Sequence, residues 1–135
     1  MPRYVILTHD HPFLHWDLML EQGGVLRTWR LLAEPAAGQT VAAERLADHR
    51  VAYLDYEGPV RGDRGIVKRW DCGSYDVANA SKPERYRLCG ACHPLFAELA
   101  TGIEGDSWTF RAFEQRASNA TNESSSESAE SGCTP

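Results

Sequence analysis

The chain has 135 residues, a formal net charge of −5, and 42% hydrophobic and 24% charged residues. That length suits one hydrophobic core and excludes two large domains, and the composition is that of a globular protein rather than a disordered or fibrous chain. No apolar run is long enough to cross a bilayer, and the opening run at 4–7 is too short for a secretion signal, so a cytoplasmic location and no membrane partner are expected.

The charge divides unevenly. Residues 117–135 carry Glu123, Glu127 and Glu130 and no Lys or Arg, which leaves 1–116 nearly balanced. This Ser/Glu-rich tail has no large apolar side chain to bury and is expected to be disordered. The foldable unit is therefore 1–116. Its bases are almost all arginine, the better fork for phosphate oxygens, although a GC-rich genome gives the same bias.

Within 1–116 the first expected strand is 4–8. Residues 14–21 alternate, with His15, Asp17, Met19 and Glu21 on one face and Leu14, Trp16, Leu18 and Leu20 on the other. Gly23-Gly24 marks a hairpin turn, since both accept positive φ, and 25–31 is the return strand. Residues 41–48 read as a weak helix. Further strands are expected at 51–56, 65–70, 86–88, 95–99 and 108–113, with Gly and Pro punctuating between them. Many short strands at close spacing predict a mostly β fold, a small closed β-barrel with short helical segments.

The four cysteines are Cys72, Cys89, Cys92 and Cys133. A cytosolic setting predicts reduced thiols. Cys89-Gly90-Ala91-Cys92 has metal or redox spacing, but it lacks a second pair and the setting of a redox helix, so it reads as incidental.

Chemistry concentrates near the N-terminus. His9, His11 and His15 fall within seven residues, with Asp10 and Asp17 among and after them. His15 and Asp17 are two apart on an alternating strand and project from one face, opposite Trp16 and Leu18. His9 ends the preceding strand. Two imidazoles and one carboxylate make a ligand set for Mn²⁺, Fe²⁺ or Zn²⁺ that leaves positions open for substrate. The bland alternative is a surface strand with scattered polar residues. A second cluster at 48–58 contains His49, a candidate acid/base or phosphate-binding group, and Tyr53, a candidate phosphate donor. On residue type alone it also reads as a packed tyrosine strand with His49 at a polar edge.

These residues, in this order, are similar to a known family. His9-Asp10, then 14–21 (Leu-His-Trp-Asp-Leu-Met-Leu-Glu), then 24–29, Asp48-His49, Tyr53, Tyr56-Glu57-Gly58, 65–67 and 70–75 together resemble the 3′-phosphoesterase domain of bacterial DNA ligase D. The resemblance implies a small β-barrel with a repair role. It implies a metal, most often Mn²⁺ (Zn²⁺ or another divalent ion being possible), used to remove a terminal 3′ ribonucleoside and then the 3′-phosphate. Carried over by position, His9, His15 and Asp17 match the metal ligands, His49 a histidine on the scissile phosphate and Tyr53 a tyrosine beside it. The sequence departs from the family at Met19, where an Arg is usual, at Ala47, where an acid is usual, at Leu7 in place of Gln, and near Ala33-Glu34, where a Lys is usual. Arg27, Arg30 or Arg45 are the candidates to replace the missing phosphate grip.

The expected function is a metal-dependent phosphoesterase acting on DNA or RNA-containing primer 3′ ends, as a monomer, with any ligase or polymerase of end joining supplied separately. Two rival readings stand beside it. One is a DNA-end-binding module with weakened turnover, favoured by Met19 and Ala47. The other is a cupin-like non-haem iron oxygenase, in which His49 or His93 would join His15 and Asp17.

Overall fold

The computed structural model describes residues 2–78 and 84–113; the acidic tail expected from 117 onward lies outside them. Nine strands are present among these residues: β1 Arg3–His9, β2 His15–Gln22, β3 Val25–Leu31, β4 Thr40–His49, β5 Gly58–Pro59, β6 Ile66–Val77, β7 Arg85–Gly90, β8 Leu95–Gly102 and β9 Gly105–Ala112. Neighbours run β1-β2-β3-β4-β9-β8-β7-β6, and β6 pairs back to β1. This closes an eight-stranded antiparallel barrel, with the two-residue β5 attached to β6 alone. Closure leaves no long edge exposed.

The interior is filled by Tyr4, Ile6, Leu18, Leu20, Trp29 and Trp108, with smaller side chains from the remaining strands. Trp29 and Trp108 meet edge to face at 5.1 Å. A second apolar patch lies on the outside of the wall, where Val5, Leu7, Met19, Leu26 and Val67 are covered by Leu54. Covering both faces explains why 4–7 is uniformly apolar rather than alternating: Tyr4 and Ile6 face inward, Val5 and Leu7 outward, and all four are at most 1% exposed.

Two expected elements are corrected. Residues 41–48 belong to strand β4, not a helix. The Ala, Glu, Arg and Leu there favour a helix locally, but pairing to β3 and β9 overrides that preference. Val51–Asp55 is a 3-10 helix, not a strand. There the chain leaves the barrel and lays Leu54 on the outer patch, so its aromatic and branched residues serve packing rather than pairing. The Gly23-Gly24 turn is present, with φ of 63° and 86°. Cys89 and Cys92 are thiols. Cys72 is disulfide-bonded, against the expectation of reduced cysteines, which rested on compartment alone. No helix among the described residues is long and apolar enough to cross a membrane.

Candidate metal centre

Strand register assembles the site. In the β1–β2 ladder His9 stands directly opposite His15 and Leu7 opposite Asp17; in the β2–β3 ladder Asp17 faces Arg30. Residues paired this way share a face, so His9, His15, Asp17 and Arg30 all project from the outer wall. The alternation read from 14–21 is therefore right, but the polar face is not open surface. His15 is 1% exposed, Asp17 5% and Met19 2%, whereas Leu14, on the other face, is 56% exposed. The cover over Met19 comes from the segment after β4, which contributes Leu54, with Val51, Tyr53 and Val60 packed beside it.

The nitrogen of each histidine that points away from Asp17 is engaged. His15 Nδ1 lies 2.8 Å from the Phe13 carbonyl, and His9 Nε2 lies 2.7 Å from the Arg64 carbonyl. A carbonyl only accepts, so these nitrogens carry the protons. The remaining nitrogens, His15 Nε2 and His9 Nδ1, then present lone pairs toward Asp17 at 3.2 Å and 3.5 Å. Asp17 Oδ1 is buried with no hydrogen-bond partner. Three lone-pair donors within 4.8 Å of one another, each held from behind or buried without a proton, fit a divalent cation between them. The donor set of two nitrogens and one oxygen suits Mn²⁺, Fe²⁺ or Zn²⁺.

The same cavity is lined by His11, Met19, Arg30, His49, Tyr53 and Arg64. His49 Nδ1 donates to the Ala47 carbonyl at 2.8 Å, which leaves Nε2 for the cavity. The Tyr53 ring meets His49 edge on at 5.6 Å. Of the three arginines expected to grip phosphate, the structure brings only Arg30 here. Its guanidinium lies 3.3 Å from Glu44, and its Nε is buried without a partner. Arg27 and Arg45 stand on the opposite face of β3 and β4, stacked on the Trp29 ring at 4.9 Å and 4.8 Å. Arg27 also bonds Gln22 and Tyr86, and Arg45 bonds Asp48. His93 stacks on Trp70 at 4.0 Å, does not line this cavity, and does not complete a triad with His15 and Asp17.

Arg64 was missed in the sequence. Nearby Gly62 signalled only a turn and Gly65 read as the start of a strand, and nothing local says that the segment folds back over β1. Gly65 makes that return possible. It sits at φ +82°, and a Cβ there would stand 2.3 Å from Asp10 Oδ1 and 2.7 Å from His11 Cβ. Asp10 Oδ1 accepts the Ile66 amide at 2.8 Å, fixing the same junction. Gly65→Ala should therefore shift the Arg64 carbonyl off His9 and weaken divalent-ion affinity by about tenfold, the lower range for loss of an outer support. Isothermal titration with Mn²⁺ checks this; unchanged affinity would show that the carbonyl does not position His9.

An antiparallel barrel with two imidazoles, a carboxylate and a guanidinium converging in one outer cavity defines a candidate metal-assisted phosphate-handling domain. Comparison with known proteins makes this specific: the chain belongs to the DNA Ligase D 3′-phosphoesterase domain family, which it matches over residues 7–121. It is 35% identical over 89 residues to the multifunctional non-homologous end joining protein LigD of Mycolicibacterium smegmatis, covering 61% of this chain and 11% of that protein. To the protein of the same name from Pseudomonas aeruginosa it is 35% identical over 78 residues, covering 54% and 9%. The chain thus spans about a tenth of the length of these curated relatives. Membership supports a role in DNA-end processing.

Proposed function

We propose that the chain is a metal-dependent 3′-phosphoesterase that trims DNA or primer 3′ ends, removing a terminal 3′ ribonucleoside and then the 3′-phosphate to leave a 3′-hydroxyl. The observation that carries this reading is the convergence on Asp17 of two imidazole lone pairs whose other nitrogens are tied to backbone carbonyls. His9, His15 and Asp17 would hold the ion, with Mn²⁺ the first choice. Bound there, it would polarise a phosphoryl oxygen and offset charge that develops in the transition state.

This chain's own groups do the rest. His49 has Nδ1 committed to a carbonyl, so its Nε2 delivers a proton to the leaving oxygen when the ring is cationic. Tyr53, held edge on against His49, donates its hydroxyl to a phosphate oxygen. Arg30 supplies positive charge from the strand beside Asp17, in place of the arginine that Met19 replaces. The partners are DNA or RNA-containing primer ends, together with a ligase or polymerase of end joining.

The rival reading is an end-binding module without turnover. It is favoured by the burial of Met19 within the outer apolar patch, where it offers the cavity no charge. Primer trimming separates the two. Labelled primers ending in one ribonucleotide or in a 3′-phosphate should be shortened or dephosphorylated with Mn²⁺. His15→Ala should lose at least a hundredfold in rate, since it removes a ligand rather than an outer contact. Wild type that binds Mn²⁺ and primer yet yields no product would transfer the assignment to the end-binding module.

A further inference from the structure

A second cavity opens beside the first. It is lined by Arg50, Ala52, Tyr53, Tyr56, Pro59, Val60, Arg61 and Arg64, and it shares Tyr53, Val60 and Arg64 with the metal cavity. The two are therefore continuous across Tyr53 and Arg64. Three arginines line this groove and no carboxylate does, on a chain whose net charge is −5.

Most described arginines elsewhere are paired, Arg111 being the exception. Arg3, Arg27, Arg30, Arg45, Arg85 and Arg87 each lie within 4.0 Å of a carboxylate. Arg50, Arg61 and Arg64 have no ion pair among the described residues, so their charge is left uncompensated around one groove. Arg64 is held in place: its Nε donates to the Arg61 carbonyl at 2.8 Å, and its own carbonyl accepts from His9. Tyr53 and Tyr56 meet edge to face at 5.9 Å, and Tyr56 is 37% exposed. Unpaired guanidinium groups along a groove with accessible aromatic rings suit the backbone and bases of a single strand.

We infer that this groove holds the sugar-phosphate backbone of the strand whose 3′ end enters the metal cavity, with Arg50 and Arg61 on phosphates upstream of the reacting one. This rests on the phosphoesterase reading for the direction of the strand. It makes Arg64 the hinge point between the two cavities and leaves Arg50 and Arg61 as affinity residues outside the chemistry.

The test pairs two readouts on the full chain. The first is anisotropy of a labelled single-stranded DNA ending in a 3′-phosphate, titrated across salt concentrations in Mn²⁺. The second is hydrolysis of a mononucleoside 3′-phosphate, too short to reach the groove. Arg50→Ala/Arg61→Ala should weaken strand binding about tenfold and reduce the salt slope by about 1.4, on the scale of 0.7 per phosphate contact for single strands. Hydrolysis of the mononucleotide should stay at the wild-type rate. Arg111→Ala is the control: it removes an equally unpaired arginine from a cavity lined by Phe96, Glu98 and Thr109, and should change strand binding less than twofold. Unchanged affinity and slope in the double variant, an equal loss in Arg111→Ala, or no strand binding by wild type would each overturn the groove. Strand binding that depends on Arg50 and Arg61, with no hydrolysis of either substrate by wild type, would retain the groove and overturn the phosphoesterase reading instead.

Discussion

Asp17→Asn should abolish divalent-ion binding and at the same time make the metal-free protein more stable. In the wild type, Asp17 Oδ1 is buried, lacks a hydrogen-bond partner, and faces the His15 Nε2 lone pair across 3.2 Å. Two acceptors in that position repel unless a cation or a proton separates them. An asparagine amide would instead donate to Nε2 and satisfy a group whose isolation costs about 1–3 kcal/mol. The metal-free variant should gain about 1 kcal/mol, or about 4 °C in Tm for a domain of this size. Mn²⁺ should reverse the order. At a hundred times its Kd it adds about 2.7 kcal/mol to the wild type and nothing to a variant that cannot bind it. Thermal unfolding of both proteins with EDTA and with Mn²⁺ gives all four values. A metal-free variant less stable than wild type would mean that the carboxylate is satisfied without an ion. A rise in Tm with Mn²⁺ in the variant would remove Asp17 from the ligand set.

How much of this was legible in the sequence follows from what each feature depends on. The shared facing of His15 and Asp17 was readable because strand alternation puts residues two apart on one side. That His9 ends the preceding strand was also readable, but its place directly opposite His15 comes from the β1–β2 register. The depth of the site was not readable, because the cover comes from 49–65, far along the chain, and its 3-10 turn has the composition of a strand. The same cause hid the grouping of Arg50, Arg61 and Arg64. Their place beside the cavity is set by where that segment lands on β1, a long-range contact with no local signature. Arg27 and Arg30 differ in the same way. Three residues apart on one strand, they must point to opposite faces, so only one of the pair could share the face of Asp17. Applying the alternation across β2 and β3 together would have selected Arg30, which is cross-strand from Asp17. The misread helix at β4 is the reverse case, a segment whose local preference is real but is outweighed by ladders on both sides.

The stretch Trp70-Asp71-Cys72-Gly73 entered as part of a family resemblance, with no chemistry attached, and the structure gives it a structural task. Asp71 is fully buried. Its Oδ1 accepts the amides of Cys72 at 2.9 Å and Cys92 at 3.0 Å; its Oδ2 accepts the amide of His93 at 2.7 Å and the Tyr4 hydroxyl at 3.4 Å. One carboxylate thereby fastens the β7–β8 connection onto β6 and β1. Burial, reinforced by the Asp71 charge, pushes the Tyr4 phenol far above its ordinary range, so it stays a donor. Asp71→Ala would leave the Cys72 amide, two loop amides and a buried hydroxyl without this acceptor, each worth about 1–3 kcal/mol. Allowing for water reaching the exposed side of the loop, the total loss should be about 4 kcal/mol, a large share of what holds a domain of this size together. Asp71→Asn should cost about half as much. Its oxygen can keep the Cys72 and Cys92 amides and Tyr4 can turn to accept from the new amide, but the His93 amide would then face another donor. Urea unfolding followed by tryptophan fluorescence measures both, since Trp70 stacks on His93 and reports the loop directly. Because this network lies apart from the metal cavity, whatever fraction of Asp71→Asn remains folded should bind Mn²⁺ with wild-type affinity. A loss of metal affinity in that folded fraction would show that the loop at 89–93 is coupled through β6 and β1 to His9.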